Sequence, residues 1–122
     1  MDLISIVPEY YEFVRLLRLD DRVRNSFLDD AYITSEEQQT YMKKHADNYY
    51  ICLLYDGPAG YVGVIDDDIR ICTHPDFVGK GVGKFMLKEI MKHYPNATGR
   101  IKEDNIPSIK LFESCQVKYT LI

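Results

Sequence analysis

Apolar positions along the chain change period from segment to segment, and each period predicts an element. A short apolar run over 3–7 reads as a strand. Pro8 suits the first turn of a helix, where its missing N–H leaves nothing unpaired. Tyr10, Phe13, Val14 and Leu17 then recur at helical spacing, which predicts an amphipathic helix over roughly 9–20. Residues 21–33 are polar with scattered apolar positions and are expected to be irregular. Thr34 or Ser35 ahead of Glu36, Glu37 and Gln38 sets a hydroxyl cap before acids in a first turn, so a second helix should run to about His45. Aromatic and β-branched content predicts strands over 49–55, 60–65 and 69–73. Asp56-Gly57 and Asp66-Asp67-Asp68 mark the turns of what should be an antiparallel meander, the three aspartates forming a solvated loop. A glycine-rich loop over 79–83 opens a helix with Met86, Leu87, Ile90, Met91 and Tyr94 on one face and Lys84, Lys88 and Lys92 on the other. A strand over 98–102, a short helix from Pro107 to Cys115 and a last strand over 117–121 complete the order. The strand–loop–helix–strand unit is long enough for a parallel crossover. The class is therefore α+β, with a mixed, mostly antiparallel twisted sheet flanked by helices.

The chain has 122 residues, a size for one domain spanning 1–122. Hydrophobic residues make up 46% and charged residues 28%, which excludes a disordered chain. Fifteen Lys and Arg against 19 Asp and Glu give a net charge of −4. No basic stripe exists to neutralise phosphates, so no nucleic-acid partner is expected. No apolar run nears the ~20 residues of a membrane span, and the N-terminus lacks the pattern of a signal peptide. Cys52, Cys72 and Cys115 are odd in number and far apart, reading as reduced thiols of a cytoplasmic protein. His45, His74 and His93 lack metal-ligand spacing, and no metal is expected.

Chemistry concentrates in Val78-Gly79-Lys80-Gly81-Val82-Gly83-Lys84. Glycines at alternate positions let a backbone curl closely around a ligand. The first N–H groups of the following helix have no internal partner, and the helix dipole makes them attractive to phosphate. A tight turn serving packing alone is the alternative. Neither the nucleotide P-loop nor the dinucleotide G-x-G-x-x-G pattern fits, since Val78 and Phe85 occupy defining positions of the first and Lys84 or Met86 the last position of the second.

These residues resemble the pyrophosphate loop of the GNAT acetyltransferase superfamily, R/Q-x-x-G-x-G/A, led in by His74-Pro75-Asp76-Phe77. Downstream, Asn105-Ile106-Pro107-Ser108-Ile109-Lys110-Leu111-Phe112-Glu113 resembles a second signature of that family, N-x-x-S/A-x-x-L-Y/F-E. Together with the meander the resemblance covers roughly 1–121. It implies an enzyme that transfers an acetyl group from acetyl-CoA, its co-substrate, to a primary amine. Strand 69–73 should splay from strand 98–102, with acetyl-CoA in the gap. The backbone of Ile71 and Thr73 would pair with the pantetheine arm. Gly79, Lys80, Gly81, Val82, Gly83 and Lys84 would hold the pyrophosphate. Asn105 would reach the cofactor arm, and Ser108 and Phe112 would line its far wall.

The sequence departs from the family at three places. Val78 stands where Arg or Gln is usual, and Phe112 where many members carry a Tyr that protonates the leaving thiolate. Gln116-Val117 replaces the usual Gly-Phe, and the last strand of larger members is absent or comes from another subunit, making a homodimer one expected assembly. Acetyl transfer needs a base for the amine, a donor for the oxyanion and an acid for the thiolate. His74, at the end of the cofactor strand, Glu103, acting through water, and Tyr119, a replacement acid, are the catalytic candidates. A strand N–H near residue 71 or 72 is the oxyanion candidate. Val23-Arg24-Asn25-Ser26, Asp30, Ile33-Thr34-Ser35-Glu36-Glu37 and Tyr41 resemble members that acetylate nucleotide-linked amino sugars, with Gln38 where a His is usual. On that likeness Arg24 and Tyr32 would contact the acceptor, with pairing of Arg24 to a neighbouring aspartate as the alternative. The acceptor is thus expected to be a small-molecule amine such as an amino sugar. A protein N-terminus or lysine, or non-catalytic acyl-CoA binding, are the competing expectations.

Overall fold

The computed structural model describes residues 1–27 and 33–122. Its elements are β1 (Asp2–Ser5), α1 (Tyr11–Leu19), α2 (Ser35–His45), β2 (Tyr49–Leu54), β3 (Gly57–Ile65), β4 (Asp68–Thr73), α3 (Val82–His93), β5 (Gly99–Ile101), α4 (Ile106–Ser114) and β6 (Tyr119–Leu121). Strands β1 to β4 form one antiparallel sheet in sequence order, and β5 and β6 form a parallel pair. Every element expected from the sequence is present, and the boundaries differ by a few residues. The first helix begins as a 3-10 turn, Pro8–Tyr10, before α1.

The hairpin turns fall one residue earlier than Asp56-Gly57 suggests. Tyr55 and Asp56 hold positive φ (54° and 64°), as do Asp66 and Asp67 (51° and 63°). Two consecutive left-handed residues match the right-handed twist of the strands they join. Gly57 thereby joins β3, which runs longer than the expected 60–65 and absorbs Ala59 as a bulge between Leu53↔Pro58 and Cys52↔Gly60. Asp68 likewise leaves the loop to begin β4, where Arg100 and Arg70 grip it. The three aspartates are thus two turn residues and one partnered strand residue.

Strand periodicity divides the core into two layers. Cys52, Val62, Val64 and Ile69 face α3 and α4 and pack with Val82, Met86, Leu87, Ile90 and Phe112. Tyr49, Ile51 and Tyr61 face α1 and α2 and pack with Tyr11, Val14, Leu17 and Met42. Thr34 closes α2 with a capping box: its hydroxyl accepts the Glu37 N–H, and the Glu37 carboxylate accepts the Thr34 N–H. Among the described residues no helix is long and apolar enough to cross a membrane.

Candidate active site

The two sheets meet at one place. Thr98 N–H donates to Asp67 O at 2.8 Å and Ile69 N–H donates to Thr98 O at 2.9 Å, making the lone bridge Asp68↔Thr98. The Asp68 carboxylate reinforces it by accepting Arg100 Nε and Nη2 at 3.1 and 2.9 Å, a two-pronged contact. Beyond this clasp β4 and β5 part, as expected for a splay.

The direction of each β4 peptide follows from alternation. His74 N–H donates to Ala59 O on β3 at 2.8 Å, whereas Ile69 N–H turns outward to Thr98. Groups two residues apart share a side, so the N–H and C=O of Ile71 and Thr73 face the gap. The N–H of Cys72 faces β3 instead, which removes it as an oxyanion donor and leaves Ile71. Peptide edges of this kind are ready to pair with an extended ligand.

The glycine loop stands at the open end of β4. Gly79 and Gly81 hold φ of +84° and +82°. A Cβ on Gly79 would meet nothing within 4 Å, and one on Gly81 would meet only Met1 Cε at 3.8 Å, so space above the loop is free. Gly81 caps α3 without any side-chain hydrogen bond, and no acid occupies the first turn. The first intrahelical bond runs from Phe85 N–H to Gly81 O at 3.0 Å. The N–H groups of Val82, Gly83 and Lys84 therefore remain for an anion, with the Lys80 and Lys84 side chains exposed beside them. By contrast α2 has its capping box and α4 is capped by Asn105. Gly83 is glycine for an internal reason: a Cβ there would come within 3.2 Å of Leu111 Cδ2 and 3.3 Å of Thr73 Oγ1.

The remaining expected site residues are placed as follows. His74 lies on the α1 side of β4, stacked on Phe13 at 6.2 Å, with Phe77 edge-on at 5.9 Å. Its Nδ1 accepts the Asp76 N–H at 3.1 Å, capping the 3-10 turn Pro75–Phe77. The neutral form compatible with this bond carries its proton on Nε2 and is a donor there, not a base. Glu103 is exposed just past β5, and its N–H donates to Ile122 O at 3.2 Å. Tyr119 sits beside Gly99 at the closed end of the gap, roughly 13 Å along the strand direction from Thr73. Its hydroxyl donates to Glu113 Oε1 at 2.7 Å, a bond that raises its pKa. The three catalytic candidates thus occupy separate places and are not brought together.

Phe112 is 2% exposed, its ring against Gly99 and edge-on to Tyr119 at 6.3 Å. It is a core side chain instead of a lining of open space, because β5 has a glycine at the position its ring covers. Asn105 Oδ1 accepts the Ser108 N–H at 3.3 Å, which leaves its two amide N–H donors and one oxygen lone pair for a ligand. Ser108 is half-buried in the first turn of α4. Arg24 pairs with Asp21 at 3.4 Å, the alternative weighed above. Tyr32 and Asp30 lie outside the described residues. Gln38 is 2% exposed and donates to Tyr11 O at 3.3 Å, fastening α2 to α1.

Two depressions, of about 560 Å³ lined by Lys102, Glu103, Asp104 and Ile122 and about 390 Å³ over the first turns of α2, include neither Ile71, Thr73 nor the glycine loop. Unpaired peptide groups are what distinguish the candidate cofactor site. Sequence reading missed the Asp68–Arg100 clasp and two cross-gap contacts, of Arg22 with Asp76 and Lys102 with Asn25. No local pattern signals them, since their partners lie 32 to 77 residues apart.

The acetyltransferase (GNAT) family matches residues 10–116. The chain belongs to this family. No curated protein sequence matches it. Among solved structures, a domain from Methanocaldococcus jannaschii DSM 2661 is similar at 25% identity and TM-score 0.81, over 98% of this chain and 88% of that one. A spermidine N-acetyltransferase from Vibrio cholerae, solved with CoA and spermine, aligns at 15% identity and TM-score 0.79, over 93% and 78%. A ribosomal-protein-alanine N-acetyltransferase from Brucella melitensis aligns at 11% identity and TM-score 0.81, over 93% and 82%. As a GNAT member the protein is an acetyl-CoA-dependent N-acetyltransferase, with acetyl-CoA as co-substrate.

Proposed function

We propose that the whole chain is one acetyltransferase unit that moves the acetyl group to a primary amine on a small molecule, an amino sugar being one such acceptor. The observation that carries the small-molecule reading is the segment 20–26. It is tied to both lips of the gap on the α1–α2 face, by Arg22 to Asp76 and by Asn25 O to Lys102. A crossing segment narrows the approach, which suits a small amine better than a folded protein's terminus. Arg24 supports a phosphate-bearing acceptor, because its partner Asp21 has a 92% exposed side chain. A phosphate can displace an exposed partner of that kind, whose pairing is worth at most about 1 kcal/mol.

In this reading the α3 N–H groups and Lys80 and Lys84 hold the pyrophosphate, and Ile71 and Thr73 receive the extended arm as an added strand. Acetyl-CoA supplies the thioester. The gap-facing Ile71 N–H donates, in this reading, to the oxyanion that develops as the amine adds. With Phe112 buried and Tyr119 held by Glu113, water takes the acid's place at the leaving thiolate. His74 serves as a positioned donor through Nε2, and Glu103 reaches the amine's proton through water.

Free-thiol release from acetyl-CoA, measured with amino sugars, nucleotide-linked amino sugars, polyamines and peptides, tests the assignment. Turnover with a small amine is expected. Turnover confined to peptides would replace it with a protein acetyltransferase. A melting temperature indifferent to acetyl-CoA would refute the assigned cofactor site, since a ligand at a hundred times its Kd stabilises by about 2.7 kcal/mol.

A further inference from the structure

We infer that residues 20–26 are an openable strap across the acceptor side of the gap, and that Arg22 and Lys102 are its two latches, controlling access to the β4 edge. The word acceptor rests on the proposed function. The strap itself rests on geometry.

Arg22 clamps one end. Its Nη1 donates to Asp76 Oδ1 at 3.0 Å, while its Nε and Nη2 donate to the two oxygens of Asp20 at 3.0 and 2.8 Å. Asp76 belongs to the turn that follows β4. Three residues further on, Asn25 O accepts Lys102 Nζ at 2.9 Å, immediately past β5. The strands held together at Asp68 and Thr98 are therefore joined again at their wide end by one loop. Residues 21–26 are coiled, a turn leading into the 3-10 turn Arg24–Ser26, so the long side chains of Arg22 and Lys102 complete the crossing.

Its face follows from its neighbours. It continues from α1, and Asp20 lies close enough to Cys72 and His74 for its charge to act on both. Those two side chains share the α1–α2 face of β4. The α3 helix, with the glycine loop at its start, packs on the other face. Pyrophosphate binding and acceptor entry are thus separated by the sheet, and the strap lies on the acceptor's side alone.

The latches are weak by construction. The Arg22 and Asp76 side chains are 56% and 65% exposed, so solvent and salt compete for the contact. Asp20, Arg22 and Asp76 form a surface fork instead of a buried bond, and Lys102 holds a single carbonyl. A strap held this way opens without unfolding the sheet beneath it.

Cys72 is a built-in reporter, half-buried on the face the strap crosses and within reach of the Asp20 charge, and Cys52, fully buried in the other layer, is the control. The experiment labels the intact protein with N-ethylmaleimide and reads each cysteine by peptide mass spectrometry. The Cys72-to-Cys52 labelling ratio should rise about two- to fivefold for each latch removed in Arg22→Ala and Lys102→Ala. In the unmodified protein it should rise also at about 1 M sodium chloride, where the screening length falls to ~3 Å. In the double variant, hydrolysis of acetyl-CoA without any amine should increase while its Kd stays within about twofold, because water gains the acceptor's path. A ratio unchanged by both salt and substitution overturns the strap, as does a parallel rise at Cys52, which means global loosening. Labelling needs no cofactor, so its outcome is independent of whether acetyl-CoA shifts the melting temperature.

Discussion

Gly81 separates the demands of the backbone from those of the ligand. It holds φ +82° immediately before α3, and a Cβ there has only Met1 Cε for company, at 3.8 Å. The obstacle to a side chain in the free protein is therefore conformational. An alanine in the left-handed region costs roughly 1–2 kcal/mol, and each kcal/mol lowers the melting temperature of a chain this long by about 4 °C. Asparagine visits that region with less penalty. Gly81→Ala should therefore melt several degrees lower, and Gly81→Asn should lie between it and the unmodified protein. Acetyl-CoA affinity should follow a different order. A longer side chain stands in the space the pyrophosphate needs, and losing one charge-assisted bond to the N–H groups of Val82 or Gly83 costs about 1.5–3 kcal/mol. Gly81→Asn should then raise Kd at least about tenfold, despite being the more stable variant. Thermal denaturation without ligand and calorimetric titration with acetyl-CoA give the two orders. A folded Gly81→Asn variant with unchanged Kd would refute the cradle.

Tyr119→Phe should leave kcat within a few fold, because the hydroxyl is bound to Glu113 at the closed end of the gap; a hundredfold loss, the usual worth of a positioned acid, would restore Tyr119 to the chemistry. Asp68→Asn should lower stability by about 1 kcal/mol and weaken acetyl-CoA binding without touching the ligand, since it breaks the fork from Arg100 at the apex; unchanged Kd on titration would show that the clasp does not set the splay. Burial pushes the Cys72 thiol up to about 12. Its contribution is complete below the unfolded thiol's ordinary value near 9 and is lost as pH rises towards 12, so Cys72→Ala should flatten the alkaline decline of stability measured by denaturant titration between those limits.

How much was legible in the sequence depended on the range of the interaction. Hydrophobic period and caps are local, so the helices and strands appeared where Tyr10, Phe13, Val14 and Leu17 or Thr34 and Glu37 announced them. The glycine loop was legible for the same reason, since positive φ at Gly79 and Gly81 and an uncapped helix start are properties of adjacent residues. The pairing role of Ile71 and Thr73 was implied by the family resemblance alone; alternation says only that they share a side, and the hydrogen bonds of Ile69 and His74 show which side that is. Roles that depend on distant partners were not legible. Asp68 looked like a loop aspartate because Arg100 is 32 positions away. Tyr119 looked free to act as an acid because nothing in the pattern shows its hydroxyl turned to Glu113. Phe112 could not be read as wall or core without knowing that Gly99 lies beneath its ring.

The same architecture explains why an unfinished sheet is tolerable here. Edge peptides such as Ile71 and Thr73 leave hydrogen-bonding groups to water and offer a template for unwanted pairing. Most proteins avoid that hazard by covering the edge. In this chain the edge lies inside a slot closed at one end by Asp68, Thr98 and Arg100 and crossed at the other by the segment 20–26. Another protein's strand would have to enter between two existing strands, whereas a single extended arm can slide in from the α3 side. Selectivity for a thin, flexible ligand ending in phosphate then needs no special side chain on β4. In the proposed reading, the slot admits a single extended arm, the edge supplies the added hydrogen bonds and the start of α3 supplies the anion site.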